Sequence, residues 1–263
     1  MPLVPAVGFE EPHGDEKLWR YLDLSKYLNM LTTGGLWFSR ADLLGDPFEG
    51  STTTLTKQQL ITFAQSMVPD GEDAEIIRTR IIDEQDDMRN FLRTHTYINS
   101  WHINDGESEA MWRLYSKDFG IAIVSTLNQM KNNLYGKKEF IGGRVLYINY
   151  ENEVIPNGNF FGPYIHKRKS FEHEREFRLI CIPQGQDYVD FFENPMTLVE
   201  LMATAQDGVL VPIDLNGLIS VVHVTPTSPD WYFESVREIS KKLGFTFEVK
   251  RSSLDIGTSS PIF

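Results

Sequence analysis

The sequence predicts an α+β fold: a mixed or antiparallel central β-sheet with a helical insertion. Three observations carry this. The chain has 263 residues, 41% hydrophobic and 24% charged, which is globular composition and enough length to bury a core without a disulfide or metal staple. Short β-type runs are separated by irregular loops and helices of unequal length, unlike the regular alternation of a doubly wound sheet. Residues 56–94 carry helical periodicity with polar outer faces, as an insertion lying against a β core would. Residues 1–16, rich in Pro, Gly and acids, are expected to form a flexible arm. Residues 17–254 are expected to form a single domain and residues 255–263 a tail.

In chain order, residues 18–21 read as a strand. Asp23 is placed to N-cap a helix with Leu24, Leu28 and Leu31 on one face, stopped by Gly34-Gly35. Residues 36–39 form the next strand. It runs into Gly45-Asp46-Pro47-Phe48-Glu49-Gly50, where Asp before Pro, flanked by glycines, suits a type I turn. In the insertion, Leu60, Ala64 and Met67 share a face. After a Pro69-Asp70-Gly71 turn, Ile77, Ile81, Met88 and Leu92 continue at helical spacing. Further strands are expected at 96–101, 121–124, 144–150, 177–182, 208–212, 219–224 and 245–249. Helices are expected at 107–117 and 127–134, and from Pro229, at the first helical position, to Leu243. Residues 187–206 read as partly helical, and 1–16 and 151–163 as loop.

Composition narrows the function classes. Acidic residues outnumber basic ones by 37 to 25, a net charge of −12, which opposes nonspecific nucleic-acid binding over the whole surface but allows a local basic pocket. No apolar run reaches 18 residues, and the N-terminus lacks the pattern of a secretory signal, so no membrane partner is expected. The one cysteine, Cys181, cannot close an internal disulfide and sits in an apolar run. It reads as a core residue in a reducing, cytoplasmic setting. Phosphate-loop, dinucleotide, nucleophile-elbow and zinc-protease motifs are missing.

What remains is a set of constellations. Glu172, Glu174 and Glu176 alternate ahead of an apolar strand, and in extended backbone positions two apart point the same way. Three such carboxylates repel, so at least one pKa rises unless cations compensate. Lys167, Arg168, Lys169, Arg175 and Arg178 are the local candidates. The run reads either as a paired-carboxylate site or as a solvated charged edge. Phe48 and Glu49 at a tight turn suit a loop that covers a ligand. Trp101-His102 with Met111, Trp112 and Tyr115 form an aromatic cluster with one imidazole, which reads as core or as a ligand platform. His95, His102, His166 and His173 lack zinc spacing, so no metal ligand is assigned, and a carboxylate magnesium site stays open.

The chain resembles a largely bacterial domain-of-unknown-function family marked by a "DPFE" loop and a "FEHExE" motif. The matching stretches are residues 36–39 leading into Asp46-Pro47-Phe48-Glu49, Trp101-His102 with 109–115, and residues 120–123, 145–150, 167–168 and 171–178. Residues 222–226, Trp231 and 249–254 complete a match running from about residue 17 to 254. The family implies no particular activity.

A second resemblance is to the ADP-ribosyltransferase fold, and it implies a split sheet and NAD as substrate. In that fold an arginine or histidine on a first strand, a serine or aromatic on a second, and a glutamate opening a later strand share one cleft. Arg20, Phe38-Ser39 and Glu174-Arg175-Glu176 match in that order, although the Ser-Thr-Ser triplet is missing. The resemblance implies that Glu176 steadies the ribosyl cation and Glu174 polarises the acceptor. Arg20 and Arg40, with Lys167 or Arg168, would hold the pyrophosphate, and Trp37, Phe38 or Trp101 would stack on a ring beside Ser39 and His102. The enzyme would be a transferase or NAD glycohydrolase, as in a toxin or phage-defence effector, with a protein or nucleic acid as acceptor. Two alternatives stand beside it: a nonenzymatic nucleotide- or protein-binding module, and a metal-dependent nuclease built on Asp46, Glu49 and the glutamate run.

Overall fold

The computed structural model describes residues 3–5, 10–116, 119–134, 140–156, 161–181, 205–226 and 228–254. Twelve strands are described: β1 (Leu3–Pro5), β2 (Lys17–Asp23), β3 (Gly35–Arg40), β4 (Tyr97–Ile103), β5 (Gly120–Thr126), β6 (Phe140–Arg144), β7 (Leu146–Ile148), β8 (His166–Arg168), β9 (Glu176–Cys181), β10 (Gly208–Pro212), β11 (Val221–Val224) and β12 (Glu248–Arg251). The helices are α1 (Leu24–Thr33), α2 (Thr54–Met67), α3 (Ala74–His95), α4 (Glu109–Tyr115), α5 (Leu127–Asn133), α6 (Gly162–Ile165), α7 (Leu215–Leu218) and α8 (Asp230–Lys242). The fold is α+β, as expected. None of the described helices is long and apolar enough to cross a membrane.

Ten strands form a mixed, largely antiparallel sheet in the order β1-β6-β9-β4-β2-β5-β11-β12, with β3 joining β4 to β10. Residues 3–5, expected in a loose arm, pair in parallel with β6 and so extend the sheet edge. The strand expected over 144–150 is two strands, β6 and β7, because the chain leaves the main sheet at Val145 and pairs instead with β8. Pro229 precedes the first turn of α8 as its cap rather than opening it. Most of the 187–206 segment lies outside the described residues.

The helix signals act locally. The Asp23 carboxylate accepts from Lys26 N at 2.8 Å, and Gly34 closes α1. Tyr27, Met30 and Leu31 are the buried residues of α1; of the expected face Leu24 also packs, partly buried, against the core, while Tyr27 and Met30 take more of the burial than Leu28. In the insertion, Ala64 is buried at the helix contact while Met67, expected beside it, is exposed. The C-terminal half of α3 anchors the pair: Met88, Phe91 and Leu92 pack with Ala41, Ile98, Tyr164, Ile165 and Ile180.

Strand alternation assigns the two faces. Leu18, Leu22, Trp101, Ile121, Ile123, Phe177 and Leu179 point to the main core under α1, α5 and α8. The opposite face carries two separate apolar clusters, the α3 cluster and one of Trp19, Tyr21, Met111, Trp112, Ala122 and Val124. Between them, β4 and β9 place Ser100, His102, Glu176 and Arg178.

The sheet splits beside β4. On β4, β3 pairs with Tyr97 and Ile98 alone, and β2 with His102 and Ile103 alone. Side chains bridge the gap: Asn99 Nδ2 donates to Trp37 O at 2.8 Å, and the Arg20 guanidinium reaches Ser100 O and Trp37 O at 3.5 and 3.4 Å.

Candidate functional site

A cavity of about 860 Å³ opens at this split. Arg20 follows the core-face register of β2, whereas Glu176 lies on the other face. The gap between β2 and β3 lets both line the same cavity, together with Trp37, Ser39, Trp101, His102, Lys167 and Glu174.

One wall is an ion-pair network. Arg178 donates to both oxygens of Glu49, at 2.8 and 2.7 Å, and its Nε donates to Glu176 at 2.8 Å. Its Nη1 also donates to Tyr164 O at 2.7 Å. Lys167 Nζ donates to Glu176 at 2.6 Å and to Glu174, and lies 3.5 Å from Glu49. All five side chains are at least nine-tenths buried. An isolated buried charge is costly by several kcal/mol, so the arrangement depends on two cations, Arg178 and Lys167, that between them hydrogen-bond three carboxylates.

Local backbone explains how the carboxylates reach this wall. The run 169–174 is a 3-10 turn, not an extended strand. Arg175 ends it with φ 41°, a left-handed conformation that costs a non-glycine residue roughly 1 kcal/mol. This reversal turns Glu174 and Glu176 inward and leaves Glu172 exposed, so two of the three expected carboxylates converge. Glu49 arrives from the turn: Glu49 N donates to Asp46 O at 3.0 Å, and Gly50 follows at φ 70° against Tyr164 and Arg93. Arg168 clamps that turn through Asp46, at 2.7 and 3.1 Å, and stacks on Phe48 and Phe171.

The charge states differ along the wall. Burial opposes ionisation of Glu176, but Arg178 and then Lys167 outweigh it and hold its carboxyl well below the usual range. Burial and the adjacent Glu176 push Glu174 up. The Tyr115 hydroxyl donates to Glu174 Oε1 at 2.6 Å, and burial with that carboxylate raises the phenol. Glu174 is therefore the carboxyl of the pair best suited to take up a proton, and Glu176 the one that stays charged.

Two groups of the lining, Arg20 across the gap and His102 beside Glu176, are less fully partnered. Arg20 has backbone carbonyls and the Trp101 ring as neighbours but no carboxylate within ion-pair distance among the described residues, and burial lowers its pKa to about 10. His102 Nδ1 bonds Glu174 O at 2.7 Å, while its buried Nε2 has no hydrogen-bond partner among the described residues. Burial pulls that imidazole down, so it is neutral with Nε2 as a bare acceptor.

Three expected binders fall outside the lining. Phe38 is fully buried in the main core. Arg40 is held by Asp42 at 2.6 Å. Arg168 is spent on Asp46. Trp101 lies in the wall but is 1% exposed beneath Arg20, so no ring can stack on it. Sequence reading treats Arg178 only as a local counter-charge, puts Tyr115 in the aromatic cluster with no link to Glu174, and misses Tyr147, whose hydroxyl accepts from Glu176 N at 2.8 Å. A signal for Arg178 existed: an arginine between Phe177 and Leu179 in an apolar strand must find buried acids.

No family model matches this chain, and no curated protein matches it in sequence. Among the described residues, no three His, Cys, Asp or Glu side chains converge as metal ligands. The nuclease alternative therefore lacks a ligand set here: Asp46 is matched by Arg168, and Glu49 by Arg178.

Proposed function

We propose that the chain is an NAD-using, ADP-ribosyltransferase-like enzyme with its site in the split-sheet cavity. The single supporting observation is that Arg20, Ser39 and Glu176, from three distant stretches, line that one cavity in the order the resemblance implies. In the proposed reaction the bond between nicotinamide and ribose C1′ breaks, and its electron pair leaves with nicotinamide. An oxygen or nitrogen of the acceptor bonds to C1′, and its proton passes to the Glu174 carboxylate. Glu176, held ionised by Arg178 and Lys167, offsets positive charge developing on the ribose. Arg20 supplies an uncommitted guanidinium for the pyrophosphate. The test is nicotinamide release from NAD, with water, proteins and nucleic acids offered in turn as acceptors. Wild type should release it and Glu176→Gln should not; no release with any acceptor overturns the reading.

A nonenzymatic nucleotide-binding module is the second reading, favoured by one observation. Both Glu176 oxygens already accept hydrogen bonds from Lys167 and Arg178, which dilutes the charge available to a ribosyl cation. Saturable NAD binding without turnover would select it.

A further inference from the structure

On the face that carries Glu176 and Arg178, two small residues floor the cavity. Ser39 pairs with Ile98, and Ser100 pairs with Arg178. Trp37, two residues before Ser39 on β3, lies on the same strand face, and both line the cavity with Ser100 and Arg178.

The position of Trp37 is set by its neighbours. A Cβ on Gly208 of β10 would lie 2.4 Å from Cζ2 and 2.5 Å from Cε2 of the indole, so the six-membered ring occupies space that only glycine leaves open. The Trp37 carbonyl is held by Asn99. The indole is nevertheless 43% exposed. Tyr115 is the other exposed aromatic of the lining, and its hydroxyl is committed to Glu174. An indole fixed on one side and open on the other has the form of a stacking platform.

We propose that Trp37, seated on Gly208, is the platform for the flat base of a nucleotide ligand. This rests on the nucleotide reading of the cavity and names its ring-binding subsite. The neighbouring chemistry selects that ligand class. Arg20, beside the Trp37 carbonyl, suits an anionic group, and Ser39, Ser100 and the carboxylates of the same lining suit a hydroxyl-bearing sugar. A ring, sugar and phosphate together are a nucleotide.

The test is calorimetric titration of the full chain with ADP-ribose and with AMP. Trp37→Ala should weaken binding at least about tenfold, and Trp37→Phe less, since base–aromatic stacking is worth ~1–3 kcal/mol. Gly208→Ala should weaken binding as Trp37→Ala does. If it unfolds, the exposed Trp37 variants, with melting checked, carry the test alone. Unchanged ADP-ribose affinity in folded Trp37→Ala overturns the platform and leaves the transferase reading standing. A Trp37-dependent affinity for AMP, with no binding of NAD or ADP-ribose, keeps the platform and overturns the NAD reading. No binding of any nucleotide to wild type overturns both.

Discussion

The two walls of the cavity handle charge in opposite ways. Around Arg178, two cations hydrogen-bond three buried carboxylates; across the gap, Arg20 meets only backbone carbonyls and an aromatic face. The contrast separates architecture from recognition. A saturated network is expensive to disturb and has little left to offer a ligand, whereas an unsaturated wall adds little to folding and keeps its hydrogen-bonding capacity for something else.

The sharpest way to break this contrast is to remove one member from each wall. Arg178→Met keeps the volume but takes both side-chain hydrogen bonds from Glu49 and leaves Glu176 with Lys167 alone, and should cost about 3–5 kcal/mol, read from the urea midpoint at constant slope. Arg20→Met should cost less than about 1 kcal/mol in the same assay while lowering affinity for ADP-ribose. Equal losses from the two variants would erase the distinction between the walls.

Within the saturated wall, Tyr115→Phe removes the hydroxyl donated to Glu174. The expected loss is about 1 kcal/mol at neutral pH, smaller than for Arg178→Met because the ring is half in solvent.

Acid titration tests the wall in a further way. Glu176 has a folded pKa below its unfolded value, so its contribution is present above the ordinary carboxylate range and fades as pH falls through the folded value. Glu174 has the reverse shift: its contribution is present below the unfolded value and is lost as pH rises through the folded one. Stability curves should therefore show a shallower acid limb in Glu176→Gln. In Glu174→Gln the decline just above the usual carboxylate range should vanish. The same pH dependence in both variants would refute the opposed assignments. The Arg20 wall, with no shifted carboxylate of its own, should leave the acid limb unchanged in Arg20→Met.

Much of the fold was legible because its signals are local. Asp23 and Gly34 bracket α1, the 3.6-residue period marks the insertion, and the apolar runs at β4, β5 and β9 announce strands. The candidate site was legible as a set of residue types. Arg20, Ser39, Glu174, Glu176, Lys167, Trp37 and His102 were all singled out, and all line the cavity.

Pairing and depth were not legible. Local pattern could not tell Glu172, exposed in a 3-10 turn, from Glu174, buried five residues past Lys169, because a single left-handed residue at Arg175 separates them from regular strand geometry. Nor could it separate Trp37 from Phe38, neighbours in one strand whose exposure depends on which face meets the core. Backbone periodicity and capping act over a few residues and are written in order along the chain. The match of Arg178 to Glu49, or of Tyr115 to Glu174, joins positions 129 and 59 residues apart. Such matches exist only once the packed sheet excludes water and makes an unmatched charge intolerable.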